Sequence, residues 1–184
     1  MNTVIFVGGA NGSGKSTLAR ELMSNLEQEF VEWSLPNGSI ITACKDFAFL
    51  GSYKNACGGL DTFKNWEQIE EAIKTAINAG IHKVFCEGVT QFGVQRYLGI
   101  QDIPNTHLVY INLATDIRQS IQNVLHRRAL KGNTKELDPK NIYDKEKGCF
   151  SLYINLIKEG LKDCYRLTYE QALDCCKYYL TLEE

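Results

Sequence analysis

One stretch near the start of the chain limits the fold more than any other. Gly9-Ala10-Asn11-Gly12-Ser13-Gly14-Lys15-Ser16 spells G-x-x-x-x-G-K-[ST] without a mismatch. It follows Thr3-Val4-Ile5-Phe6-Val7, an apolar β-rich run, and precedes Thr17-Leu18-Ala19-Arg20-Glu21-Leu22-Met23, which reads as a helix. In that strand–loop–helix order the glycines let successive backbone N–H groups turn inward, and the helix aims its positive end at the same point. The result is an anion site that selects phosphate. Lys15 is placed to reach the β- and γ-phosphates of ATP, the Ser16 hydroxyl to sit on Mg²⁺, and Thr17 to add a phosphate contact.

The rest of the chain alternates strand and helix in a way that suits such a loop. Phe30–Leu35 reads as a strand, Pro36–Ser39 as a turn, and Ile40–Cys44 with Phe47–Leu50 as a hairpin appended to the sheet. Trp66, Ile69, Ala72, Ile73, Ala76 and Ile77 recur at helical spacing, and Gly80 is placed to end that helix. Lys83–Cys86 and His107–Leu113 read as buried strands, with a helix from Asp116 to Leu130 ending near Gly132. Helices over Ser151–Leu161 and Glu170–Leu180, with a last strand over Cys164–Tyr169, complete the pattern. Strands joined by helical crossovers predict a P-loop NTPase-type three-layer α/β/α fold with a mainly parallel central sheet and ligands at the carboxyl ends of its strands. At 184 residues the chain fits a single domain, with a lid at about residues 127–140.

Composition excludes several classes. No apolar stretch approaches the roughly 18 residues of a membrane helix, and no basic-then-apolar leader opens the chain, so the expectation is a cytoplasmic protein with no membrane partner. The seven cysteines, Cys44, Cys57, Cys86, Cys149, Cys164, Cys175 and Cys176, lack C-x-x-C pairs, which points to packed or idle thiols. His82, His107 and His126 have no ligand spacing and read as structural. Trp33, Tyr178 and Tyr179 read as core before they read as base-stacking platforms.

Four positions outside the loop are candidates for chemistry. Glu87 ends the strand Val84-Phe85-Cys86, where an acid beside Mg²⁺ or the attacking group belongs; the bland alternative is a solvated glutamate opening a loop. Asp61, in Cys57-Gly58-Gly59-Leu60-Asp61-Thr62, is either a general base for an acceptor hydroxyl or the cap of the next helix. Arg127 and Arg128 either neutralise transferring phosphate from the lid or serve the dipole of their own helix. Residues 126–147 hold seven Lys/Arg against four acids, in a chain of net charge −2, which is compatible with a polyanionic substrate.

The glycine loop, Leu50-Gly51-Ser52-Tyr53, the Cys57–Thr62 string, Phe85-Cys86-Glu87-Gly88, and Asp138-Pro139-Lys140-Asn141 with Asp144-Lys145 together resemble phage-type P-loop kinases. Within them the chain is similar to the 5-hydroxymethyluracil DNA kinases of bacteriophage thymidine hypermodification, from about Asn2 to Leu161. The resemblance implies transfer of the ATP γ-phosphate to the 5-hydroxymethyl group of 5-hydroxymethyluracil in DNA, inside a phage-infected host's cytoplasm, with Asp61 in the substrate-side acidic position. Val89-Thr90-Gln91-Phe92-Gly93 lacks the Ser-His of that family, and Leu137 stands where an aromatic is commoner. A kinase for a free nucleoside, nucleotide or other small hydroxyl acceptor, and a nucleotide-gated binding module, are the competing expectations.

Overall fold

The computed structural model describes residues 1–54, 58–88 and 92–181, so Cys57 and the Val89-Thr90-Gln91 departure from the family pattern lie outside the described residues. In chain order the elements are β1 (Asn2–Gly8), α1 (Lys15–Asn25), β2 (Val31–Ser34), β3 (Ile40–Ala43), β4 (Phe47–Leu50), a short 3-10 helix (Gly59–Thr62), and α2 (Trp66–Asn78). There follow β5 (Lys83–Gly88), α3 (Val94–Leu98), β6 (Thr106–Leu113), α4 (Ile117–Leu130), α5 (Lys140–Lys158), β7 (Cys164–Leu167) and α6 (Tyr169–Thr181).

The strands form one sheet in the order β2-β3-β4-β5-β1-β6-β7. β1 lies at its heart, parallel to β5 on one side and β6 on the other. Its alternation sorts the core into two faces: Val4 and Phe6 pack with α2, α3 and α5, while Ile5 and Val7 pack with α1 and α6. This is the three-layer α/β/α arrangement of P-loop NTPases. α2 carries the clearest helical stripe, burying Trp66, Ile69, Ala72, Ile73 and Ala76, each large one stabilising by about 1.5–3 kcal/mol. Its cap is Asn65, whose side chain accepts from the Gln68 N–H, so Asp61 does not cap this helix.

Three expectations change. The 40–50 hairpin is not an appendage, because β4 pairs in parallel with β5 and carries the sheet outward to β3 and β2. The helix expected from Ser151 begins at Lys140, with Ile142, Cys149, Leu152 and Leu156 buried along one side. Its first half is mostly polar, which hides the apolar period from the sequence. Only residues 131–139 separate α4 from α5, and Arg127 and Arg128 stand in the last turn of α4, where the sequence places the end of that helix. Tyr178, expected in the core, is 59% exposed, while Tyr179 is buried and Trp33 packs at the core's edge. The cysteines described are free, all buried but the half-buried Cys175. Among the described residues no helix is long and apolar enough to cross a membrane.

Candidate active site

The glycine loop leaves the carboxyl end of β1 and is pinned from several sides. Gly8 has no room for a side chain, since a Cβ there would strike the Tyr110 hydroxyl. Gly12 adopts φ +83° and lies against the Ser120 carbonyl of α4, a contact that only a residue without a Cβ permits. The loop's carbonyls are held outward: Thr115 Oγ1 donates to Ser13 O at 2.9 Å, and Asn123 Nδ2 donates to Gly12 O at 2.8 Å. Gly14, also left-handed, starts α1.

Lys15 opens that helix and folds back across the loop, donating to the carbonyls of Gly9 at 2.8 Å and Ala10 at 2.9 Å. It is 8% exposed, and burial lowers its pKa against the opposing pull of Glu87. The Ser16 hydroxyl donates to Glu87 Oε1 at 2.8 Å. That contact follows from topology, because Val7 and Glu87 are register partners in the parallel β1–β5 pair, so the end of β5 meets the start of α1. Glu87 is 2% exposed, and burial raises its pKa from 4.5 to about 7, with Lys15 and Ser16 opposing the rise. A carboxylate so placed gains by meeting a cation.

The short helix Gly59–Thr62 closes the other wall. Gly59, at φ +69°, sits so near Glu87 that a Cβ would collide with its carbonyl and carboxylate. Asp61, exposed two residues on, lines the same cleft of about 640 Å³. Of the residues singled out from sequence, Asn11, Gly12, Gly14, Lys15, Ser16, Thr17, Asp61, Glu87 and Arg127 line this cleft. Gly9 and Ala10 act behind it, through the carbonyls that hold Lys15, and Ser13 is buried under the loop. Arg128 points elsewhere and donates to the carbonyls of Lys135 and Glu136, both at 3.2 Å, which ties down the 131–139 segment.

Four further residues enter the cleft that the motifs did not single out as site residues: Arg20, Asn123, His126 and Lys145. Arg20 is one turn beyond Ser16, and Asn123, His126 and Arg127 share an i, i+3, i+4 stripe on α4, a spacing visible in the sequence. The structural reading of His126 is thereby corrected, since it is exposed on the cleft wall. His82 and His107 are structural, paired with Asn2 Oδ1 and Asp163 Oδ2 at 2.7 Å each.

The donor set suits Mg²⁺ and a nucleotide polyphosphate. Ser16 and Glu87 present hard oxygens side by side, and no group of three or more His, Cys, Asp or Glu forms a metal cage among the described residues. Mg²⁺ ordinarily binds through one or two such oxygens together with substrate phosphates and water.

Fold and cleft together are those of a P-loop NTPase-like chain. No family model matches it. The 5-hmdU DNA kinase of Pseudomonas phage PaMx11 is 30% identical over 150 residues, covering 75% of this chain and 76% of that one. At that identity and coverage the chain belongs to the 5-hmdU DNA kinase family. A crystal structure of an uncharacterized protein from Eubacterium ventriosum aligns over 98% of both chains with 15% identity and a TM-score of 0.45, a likeness too distant to inform the site.

Proposed function

We propose that the protein is an ATP- and Mg²⁺-dependent kinase that phosphorylates the 5-hydroxymethyl group of 5-hydroxymethyluracil in DNA. The observation that carries the reading is the meeting of Lys15, Ser16 and Glu87 at the floor of one cleft with Asp61 on its wall. The relative named for this reaction supplies the acceptor.

In this reading the loop N–H groups and Lys15 hold the β- and γ-phosphates, and Lys15 leaves the Gly9 and Ala10 carbonyls to do so. Mg²⁺, held by Ser16 and Glu87, would neutralise charge building on the transferring group. Asp61 accepts the proton of the hydroxymethyl O–H as that oxygen bonds to the γ-phosphorus and the bond to the β–γ bridging oxygen breaks, releasing ADP. Arg127, at the base of a lid spanning residues 131–139, stabilises the equatorial oxygens. All of this is housed in one domain.

The test is labelled ATP offered with hydroxymethyluracil DNA, unmodified DNA, and free nucleosides and nucleotides. Label in the modified DNA alone is the expected result. Label only in a free metabolite would overturn the acceptor, and ATP consumption without a phosphorylated product would indicate a binding module.

A further inference from the structure

Two cations in the cleft are placed quite differently from the rest. Arg127 and Lys145 are both half-buried, both line the cleft, and neither makes a hydrogen bond or ion pair within the described residues. Arg128, beside the first, is spent on two carbonyls. A cation on the wall of a cleft that has no anionic partner among the described residues keeps its donors available to an anion entering there.

Lys145 is also firmly mounted. It stands on the second turn of α5, and the residues next to it and one turn on lie against the glycine loop, Glu146 at the Ala10 backbone and Cys149 at the Gly9 backbone. Ile142, three residues earlier, is buried against Ala10 and Val124. α5 is thus clamped to the loop on both sides of Lys145, and its charge is felt at Lys15 across the cleft. Two ammonium groups lining one cleft repel one another until an anion enters between them.

We infer that Lys145 is a phosphate-binding residue, the fixed counterpart to Lys15 on the α5 wall of the cleft. The inference rests on the kinase reading for its substrates but not for its binding test. The phosphate is either that of the nucleotide or one of the DNA backbone beside the modified base, and the experiment separates them.

Binding of a non-hydrolysable ATP analogue with Mg²⁺ is measured calorimetrically for the parent, Lys145→Ala and Lys145→Arg, without DNA. Binding of hydroxymethyluracil DNA is measured over a salt series. A loss of about 10- to 100-fold in analogue affinity in Lys145→Ala, with recovery in Lys145→Arg, assigns the nucleotide phosphate. Unchanged analogue affinity, with a salt slope for DNA shallower by about one, assigns the backbone phosphate. Parental values in both arms overturn the inference, as does a loss accompanied by a lower Tm, which would make Lys145 a structural residue. If the analogue arm shows the loss while no DNA is ever phosphorylated, Lys145 stands and the proposed acceptor falls.

Discussion

Two carboxylates of this protein, the half-buried Asp163 and the buried Glu87, sit in opposite electrostatic situations. Asp163, between α5 and β7, accepts from Tyr165 at 2.6 Å, Tyr179 at 2.8 Å and the His107 ring at 2.7 Å. Burial would raise its pKa, but those three partners outweigh burial and hold it below 3.8. Glu87 has the Ser16 hydroxyl and the charge of a buried lysine, and burial wins, pushing it up to about 7. One carboxylate is finished as it stands; the other is left short of positive charge. The polar groups around them follow suit. Asn112, the register partner of Gly8, and Ser120, beside Gly12, are buried with side-chain atoms that find no hydrogen-bond partner among the described residues, and both flank the glycine loop. Unfinished electrostatics concentrate at the carboxyl ends of β1, β5 and β6, where a substrate would complete them.

The largest effect should come from removing the cation on the unfinished side. Lys15→Ala is expected to lower phosphoryl transfer by on the order of 10³-fold or more with little change in Tm, read by single-turnover kinetics and calorimetry. Near-parental turnover in a folded variant would remove the loop from the chemistry. Next, Asp61→Asn should lower transfer by on the order of 10²-fold while nucleotide affinity holds, as loss of a general base does. Parental transfer by that variant would send the search for the base back to Glu87.

Glu87→Gln sharpens the contrast because its two consequences diverge. Turnover should fall more than ATP affinity does, yet the ligand-free protein should gain stability at pH 7.5 on the order of 1 to 3 kcal/mol, since a buried charge is gone. The sign follows from proton binding. Between pH 4.5 and about 7 the native state holds a proton that the unfolded chain has released, so parental stability declines as pH rises through that window. Glu87→Gln should flatten the decline; an unaltered pH profile of Tm would mean that Glu87 is not the titrating group. Asp163 runs the other way: its contribution is present above pH 3.8 and is lost as pH falls through its depressed native value. Asp163→Asn should lower stability by about 1 kcal/mol, a figure kept small because the group is partly solvated, and leave turnover at the parental level. A large loss of turnover would show that the two regions are coupled.

Much of the unfinished region was legible in the sequence, because it lies on residues whose neighbours in the chain are also their neighbours in space. The glycine loop, β1 and α1 form one contiguous unit, and Glu87 follows a strand so apolar that its end could be read. What the sequence concealed depends on packing between distant elements. Lys145 lies in the polar first half of α5, where only Ile142 and Cys149 mark the buried side and no helical period shows. His126 looks like a stray histidine until α4 turns it toward the loop. The finished region was less visible, since His107, Asp163, Tyr165 and Tyr179 come from three separate segments and carry no motif. Asp61 stood between two roles until Asn65 proved to cap α2, which leaves its carboxylate facing the cleft.

The most direct measurement is mass analysis of nucleosides from hydroxymethyluracil DNA that has been incubated with the protein, ATP and Mg²⁺ and then digested without phosphatase activity toward the base. One added phosphoryl group on the hydroxymethyl oxygen, present with the parent and missing with Lys15→Ala, is the predicted result. Unmodified hydroxymethyl nucleoside in full yield, despite ATP consumption by the folded parent, would contradict it.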